Sequence, residues 1–198
     1  MKQNISHAVM SQRNPNIYTF DNFPTPPVAT RAFINSQLSS SYNLSKSTCL
    51  EPACGQGNMS ETLKEYFKTV QSFDIIDYGY SDMTKTDFLK SSLEDNSFDW
   101  VITNPPFLSK NKAQDKAVFN LYGADDLYKC FILQLIEPKN ICFGGILILP
   151  LNFFCSFRKQ DLNLRKRFLT FYTISLINIF ELPTFQDTNY TVCSFMFS

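Results

Sequence analysis

The stretch Asn104-Pro105-Pro106-Phe107 closes the apolar run Phe98-Asp99-Trp100-Val101-Ile102-Thr103. An amide, two rigid prolines and an aromatic therefore stand at the carboxyl end of an expected strand. These residue types suit one chemistry, the holding of a planar amino group while it attacks an electrophile. Asn104 supplies a carbonyl acceptor for N–H donors. Pro105 and Pro106 fix φ and lack N–H groups, so the local backbone presents carbonyls. Phe107 offers a flat face for a base.

A second loop lies upstream, Glu51-Pro52-Ala53-Cys54-Gly55-Gln56-Gly57. Gly55 and Gly57 fall between an expected strand and an expected helix, where the chain must turn tightly and let a ligand approach the backbone. The third glycine of a dinucleotide loop is missing, because Ser60 takes its place, and this disfavours NAD. Glu51 aims a carboxylate at the crevice, which suits a cationic sulfonium and ammonium better than a pyrophosphate. Asp74, 17 residues after Gly57, has the spacing of an acid that meets ribose hydroxyls, and Asp77 is its rival. Asp87-Phe88 follows the third strand position and can grip a cofactor's adenine, Asp87 at the amino group and Phe88 on the ring face. Each of these acids also reads as an ordinary loop residue.

The remaining pattern indicates what positions these loops. Residues 28–34 read as a helix entered through proline, and Thr48-Cys49-Leu50 as a short buried strand ending at Glu51. Met59, Leu63, Tyr66 and Phe67 share one helical face, with Asn58 and Glu61 as a capping pair. Residues 70–76 and 98–103 are expected strands. Leu127, Phe131 and Leu135 mark a helix stopped at Glu137-Pro138. Ile146-Leu147-Ile148-Leu149 suits a strand covered on both faces. Residues 158–169 form a basic helix, and 172–180 and 190–197 two late strands. Strands alternating with helices indicate an α/β sandwich with a mostly parallel sheet.

With 198 residues, the chain suits one domain with a sizeable core. Eighteen basic residues balance 18 acidic ones, so no global field drives it toward nucleic acid, and any phosphate contact must be local. The six cysteines show no C-x-x-C spacing, and the single His7 is remote, which argues against a zinc cluster and for free thiols in a reducing compartment. The longest apolar run, 144–154, is too short to span a bilayer. No signal peptide precedes the polar start, so a cytoplasmic location is expected.

The two loops together resemble those of S-adenosylmethionine-dependent amino-methyltransferases, particularly the N6-adenine DNA methyltransferases. Residues 51–57 look like the first motif of that family and Asn104-Pro105-Pro106-Phe107 like the fourth. Phe23-Pro24-Thr25-Pro26-Pro27 is similar to the amino-terminal tenth motif, and 74–80 to a phage and viral branch. Residues 180–193 resemble the eighth motif and final strand of restriction-associated enzymes. The likeness spans roughly 18–197, in the gamma order of motifs.

This resemblance implies a Rossmann-like methyltransferase sandwich, mostly parallel with an antiparallel last strand, over 18–198 behind a loose arm at 1–17. It implies S-adenosylmethionine held by Thr25, Pro26, Glu51, Pro52, Ala53, Cys54, Gly55, Gly57, Asp74, Asp87, Phe88 and Asn104. Adenine N6 would meet two acceptors, the Asn104 side-chain oxygen and the Pro105 carbonyl, with the base flipped out of the duplex and stacked on Phe107. Lys110, Lys112 and Lys116 can then contact phosphates, as can Arg158 and Lys159, although a solvated helix face explains the basic groups equally well. Tyr190 either stacks near the flipped base or simply begins a strand. In the gamma arrangement a target-recognition region follows the final strand, where this sequence stops at Ser198, so either another chain is expected to supply specificity or the protein is a truncated or minimal form. Glutamine-amide methylation of a protein, RNA adenine methylation and a non-catalytic cofactor-binding role stand as alternatives.

Overall fold

Period-two alternation decides how the central strands are covered. Trp100 and Ile102 lie in one apolar cluster with Ile146, Ile148, Val192 and Met196. Val101, Leu147, Leu149, Phe195 and Phe197 lie in the other. Neighbouring residues of one strand thus feed opposite cores, and a sheet built this way needs helices on both faces. The computed structural model supplies them, and it describes residues 24–38, 42–137, 140–180 and 191–198. The expected arm at 1–17, Tyr190 and most of the run 180–193 lie outside the described residues.

In chain order the elements are α1 (Pro27–Gln37), β1 (Thr48–Glu51), α2 (Asn58–Leu63), β2 (Thr69–Asp74), β3 (Met83–Lys85) and β4 (Phe98–Thr103). They continue with α3 (Ala117–Tyr122), α4 (Leu127–Ile136), β5 (Cys142–Pro150), α5 (Asn152–Cys155), α6 (Lys159–Phe171), β6 (Ile174–Ile179) and β7 (Val192–Phe197). The sheet runs β3-β2-β1-β4-β5-β7-β6. Strands β1 to β5 pair in parallel, and β7 runs antiparallel to both β5 and β6. This is the Rossmann-like methyltransferase arrangement with an antiparallel last strand.

One core packs α1 and α2 through Phe33, Ile34, Leu38, Met59 and Leu63. The other packs α4 to α6 through Phe131, Leu135, Phe153 and Phe168. There the Phe153 and Phe195 rings stack with centroids 5.6 Å apart.

Two local expectations are corrected. The helix after Gly57 stops at Leu63, so Tyr66 and Phe67 reach the same core from the following turn. Asn58 and Glu61 form no capping pair: Gly57 holds the cap position at φ 83°, with no side-chain cap. Glu61 instead accepts from Lys64 Nζ and Tyr80 Oη, both at 2.7 Å. Helices α3 and α5, of six and four residues, were not expected from the sequence.

Candidate active site

Strand order reverses between β1 and β4, the place where a parallel α/β sheet opens a crevice beyond its carboxyl ends. Glu51 ends β1, Asp74 ends β2 and Asn104 follows β4, so the topology gathers residues far apart in sequence. The register sets Glu51 beside Ser72 and Leu50 beside Val101.

The glycine loop is held from behind. Gly55 and Gly57 adopt φ of 54° and 83°, the left-handed region that glycine enters without penalty. Cys54 N donates to Phe73 O and Gly57 N to Cys54 O, at 2.9 and 2.8 Å. The Asp74 carboxylate accepts from Gly55 N at 2.9 Å and from Ile76 N at 3.0 Å. Asp74 therefore locks the loop to β2. A carboxylate has about four acceptor positions, and two backbone donors leave capacity for ribose hydroxyls. Beside it Ile75 is 43% exposed, an aliphatic face at the strand end that sequence reasoning missed. The rival Asp77 accepts from Gly79 N at 2.8 Å in a local turn.

Glu51 departs from expectation. Its residue is 2% exposed, and its carboxyl is bound by Ser60 Oγ, which lies 2.6 Å from Ser72 Oγ. Burial pushes the carboxyl up to about 8, the Ser60 bond opposes that, and the nearby Asp74 charge adds to it. Glu51 is thus a largely protonated buttress of the loop near pH 7, where the sequence had suggested an exposed anion. Ser60, noted only as a missing glycine, is its partner. Pro52 is buried and Ala53 half-buried. Burial pushes the Cys54 thiol up to about 12, with Glu51 and Asp74 adding to the rise, which disfavours its thiolate.

On the other wall, Asn104 Nδ2 donates to Thr25 Oγ1 at 3.1 Å. Pro26 contributes as a helix cap, its carbonyl accepting from Ala29 N and Thr30 N. Pro105 is buried, while Pro106 and Phe107 are half-buried. The Phe107 ring meets Tyr128 edge to face at a centroid distance of 6.2 Å, so α4 braces the loop, another contact sequence reasoning missed.

One further expectation changes. Phe88 is 1% exposed and packs against Phe131 at 5.2 Å, so its face belongs to the core and is not open to a cofactor ring. Asp87 caps the turn through Leu89 N at 3.1 Å and pairs with Lys90 at 3.1 Å.

Among the basic residues, Lys112 and Lys116 are exposed and Lys110 is half-buried. Arg158 is engaged within the fold: it binds Asp161 and Asp125, both at 2.8 Å. Arg165 donates to the carbonyls of Phe153 and Ser156, and Arg167 pairs with Glu137. The basic face of α6 is thus partly paired, while Arg158, Lys159, Lys166 and Arg167 all remain exposed. Lys129 is buried between Asp161 and Asp125, while Lys110 N donates to Asp125 O at 2.8 Å. That network anchors the segment leaving Phe107.

A cavity of about 450 Å³ lined by Tyr122, Lys129, Leu133, Lys159 and Arg167 lies among α3, α4 and α6, away from the β1, β2 and β4 strand-end loops. Among the described residues no helix is long and apolar enough to cross a membrane.

Comparison with known proteins agrees with this geometry. No curated protein matches by sequence. Solved structures do match in fold. A type I restriction-modification methyltransferase subunit from Streptococcus thermophilus is 17% identical with a TM-score of 0.63, over 88% of this chain and 44% of that one. The type IIG restriction endonuclease BpuSI is 16% identical with a TM-score of 0.66, over 88% and 25%. A dimethyladenosine transferase from Plasmodium falciparum is 15% identical with a TM-score of 0.60, over 89% and 62%. The chain thus spans less than two thirds of each of these. The family model described as Eco57I restriction-modification methylase matches residues 33–185, from the end of α1 past the strand-end loops of β1, β2 and β4, and the chain belongs to that family.

Proposed function

We propose that this chain transfers a methyl group from S-adenosyl-L-methionine to N6 of adenine in DNA. The observation that carries the reading is Asn104 at the switch point, its amide nitrogen bound to Thr25 and its following Pro-Pro-Phe braced by Tyr128. The crevice suits the cofactor: Gly55 and Gly57 open the backbone, Asp74 keeps acceptor capacity, and Ile75 offers an aliphatic face. S-adenosylmethionine, when bound, supplies a methyl group already activated on a cationic sulfur.

The protein's contribution is then positioning and electrostatics. Asn104 Oδ1 and the Pro105 carbonyl accept the two N6 hydrogens, favouring a pyramidal nitrogen whose lone pair faces the methyl carbon. The C–N bond forms as the C–S bond breaks, and the extra proton leaves the nitrogen for solvent. No general base is needed, which fits a site built on an amide. An adenine in a duplex must be flipped out to arrive here, and Phe107 gives it a stacking face. Lys112 and Lys116, exposed beyond Phe107, offer charge to backbone phosphate, as does the exposed Arg158 alongside its pairs with Asp125 and Asp161. Residues 18–198 form the methyltransferase domain in this reading, acting on DNA inside the cell.

Side-by-side incubation of the chain and labelled cofactor with duplex DNA, RNA and a protein carrying a glutamine acceptor tests the proposal. N6-methyladenine in the DNA supports it. Label in protein or RNA alone refutes the substrate assignment.

A further inference from the structure

A carboxamide has two ends of nearly equal size and opposite chemistry. Oδ1 accepts, Nδ2 donates, and a half-turn about χ2 exchanges them. If Nδ2 faced an incoming amino group, two donors would meet. Methyl transfer of the kind proposed above therefore requires something to hold the amide one way round.

Thr25 reaches this amide in the structure. Thr25 lies 79 positions from Asn104 in sequence, yet its Oγ1 accepts from Asn104 Nδ2 at 3.1 Å. Thr25 is 4% exposed, so solvent does not compete for the contact. Its backbone is set by Pro26 and Pro27, and the Pro26 carbonyl accepts from Ala29 N, Thr30 N and Thr30 Oγ1 at 3.0, 3.1 and 3.4 Å. The hydroxyl thus projects from a rigid helix entrance. We propose that Thr25 is a positioning residue whose hydroxyl holds the Asn104 amide in place, accepting from its nitrogen while its oxygen faces the acceptor amino group. This rests on the methyl-transfer reading and differs from the cofactor-holding role that the tenth-motif resemblance assigns to Thr25.

The test is a double-mutant cycle with two readouts. Thr25→Val keeps the side-chain shape and removes the acceptor, whereas Thr25→Ser keeps the hydroxyl. Thr25→Val should lower kcat roughly 10–100-fold, in the range of losing part of one preorganised contact. The KM for S-adenosylmethionine should stay within about twofold, because the lost contact acts in the reaction and not in cofactor binding. Thr25→Ser should restore most of the rate. In an Asn104→Asp background, both side-chain ends are acceptors, so Thr25→Val should cost much less.

The second readout needs no activity. Hydrogen exchange of the Asn104 Nδ2 protons, followed by nitrogen-edited NMR, should accelerate in Thr25→Val and not in Thr25→Ser. An unchanged exchange rate overturns the contact. Weaker cofactor binding with unchanged kcat, or an undiminished cost in the Asn104→Asp background, overturns the positioning role. If the wild type shows protected Nδ2 protons and binds cofactor yet methylates nothing, the methyl-transfer reading fails and takes the positioning role with it, leaving the contact itself intact.

Discussion

Replacing Glu51 with glutamine should make the protein more stable, increasingly so as pH rises. The carboxyl is pushed up to about 8 by burial, against a usual value of 4.5. Between those values the native state holds a proton that the unfolded chain has lost, so stability declines as pH increases through that window. At pH 7 the linkage amounts to about 3 kcal/mol, since each tenfold change in proton affinity is worth about 1.4 kcal/mol and the carboxyl is mostly ionised only in the unfolded chain. Glutamine has nearly the same shape, still accepts from Ser60 Oγ, and has no proton to lose. Urea unfolding of both proteins from pH 5 to pH 8 measures the difference. The two stability curves should differ by about 1 kcal/mol at pH 5 and by about 3 kcal/mol at pH 7, with the glutamine variant above. Parallel curves would mean that Glu51 is ionised in the native protein, and the buttress assignment would be wrong. A protonated Glu51 also implies that a cationic cofactor, by favouring the carboxylate, releases a proton on binding.

Gly57→Ala should weaken S-adenosylmethionine binding at least tenfold by calorimetry, for a steric reason absent from the sequence. Its φ is 83°, and a β-carbon there would fall into the Tyr80 ring, 2.6 Å from Cε2. Tyr80→Ala should relieve the overlap but not the backbone strain, about 1–2 kcal/mol for a left-handed alanine, giving partial recovery; full retention of affinity by Gly57→Ala alone would contradict the loop assignment. Lys129→Met should destabilise the fold by about 3–5 kcal/mol, because it leaves the buried Asp161 without its ammonium partner. Denaturant unfolding reads this directly, and a loss below about 1 kcal/mol would show that Arg158 and Ser156 suffice to satisfy Asp161.

The architecture was legible because apolar alternation and strand-end punctuation are local signals. Phe98–Thr103 was readable to the residue, and the two loops after Leu50 and Thr103 stood out by residue type. Glu51 was legible as a site residue but not in its role: its burial depends on Ser60 from α2 and Ser72 from β2, whose approach only the folded sheet determines. Phe88 was misread for a similar reason, since nothing local distinguishes an aromatic packed on Phe131 from one facing a crevice. The pairing of Arg158 was equally hidden, since Asp125 lies 33 residues upstream and only Asp161, three residues on, is local. The Thr25–Asn104 bond was invisible in sequence, because a contact across 79 residues leaves no periodic trace.

The central claim is that the Asn104 amide serves as the acceptor for the amino group being methylated. Its most direct measurement is single-turnover methyl transfer from labelled S-adenosylmethionine to adenine-containing duplex DNA, comparing wild type with Asn104→Ala and identifying the product by mass spectrometry. Wild type should yield N6-methyladenine. Asn104→Ala should bind cofactor normally and transfer the methyl group roughly 10²–10³-fold more slowly, the effect of removing one preorganised polar contact. Near-full transfer by Asn104→Ala would contradict the account, as would a wild-type product other than N6-methyladenine.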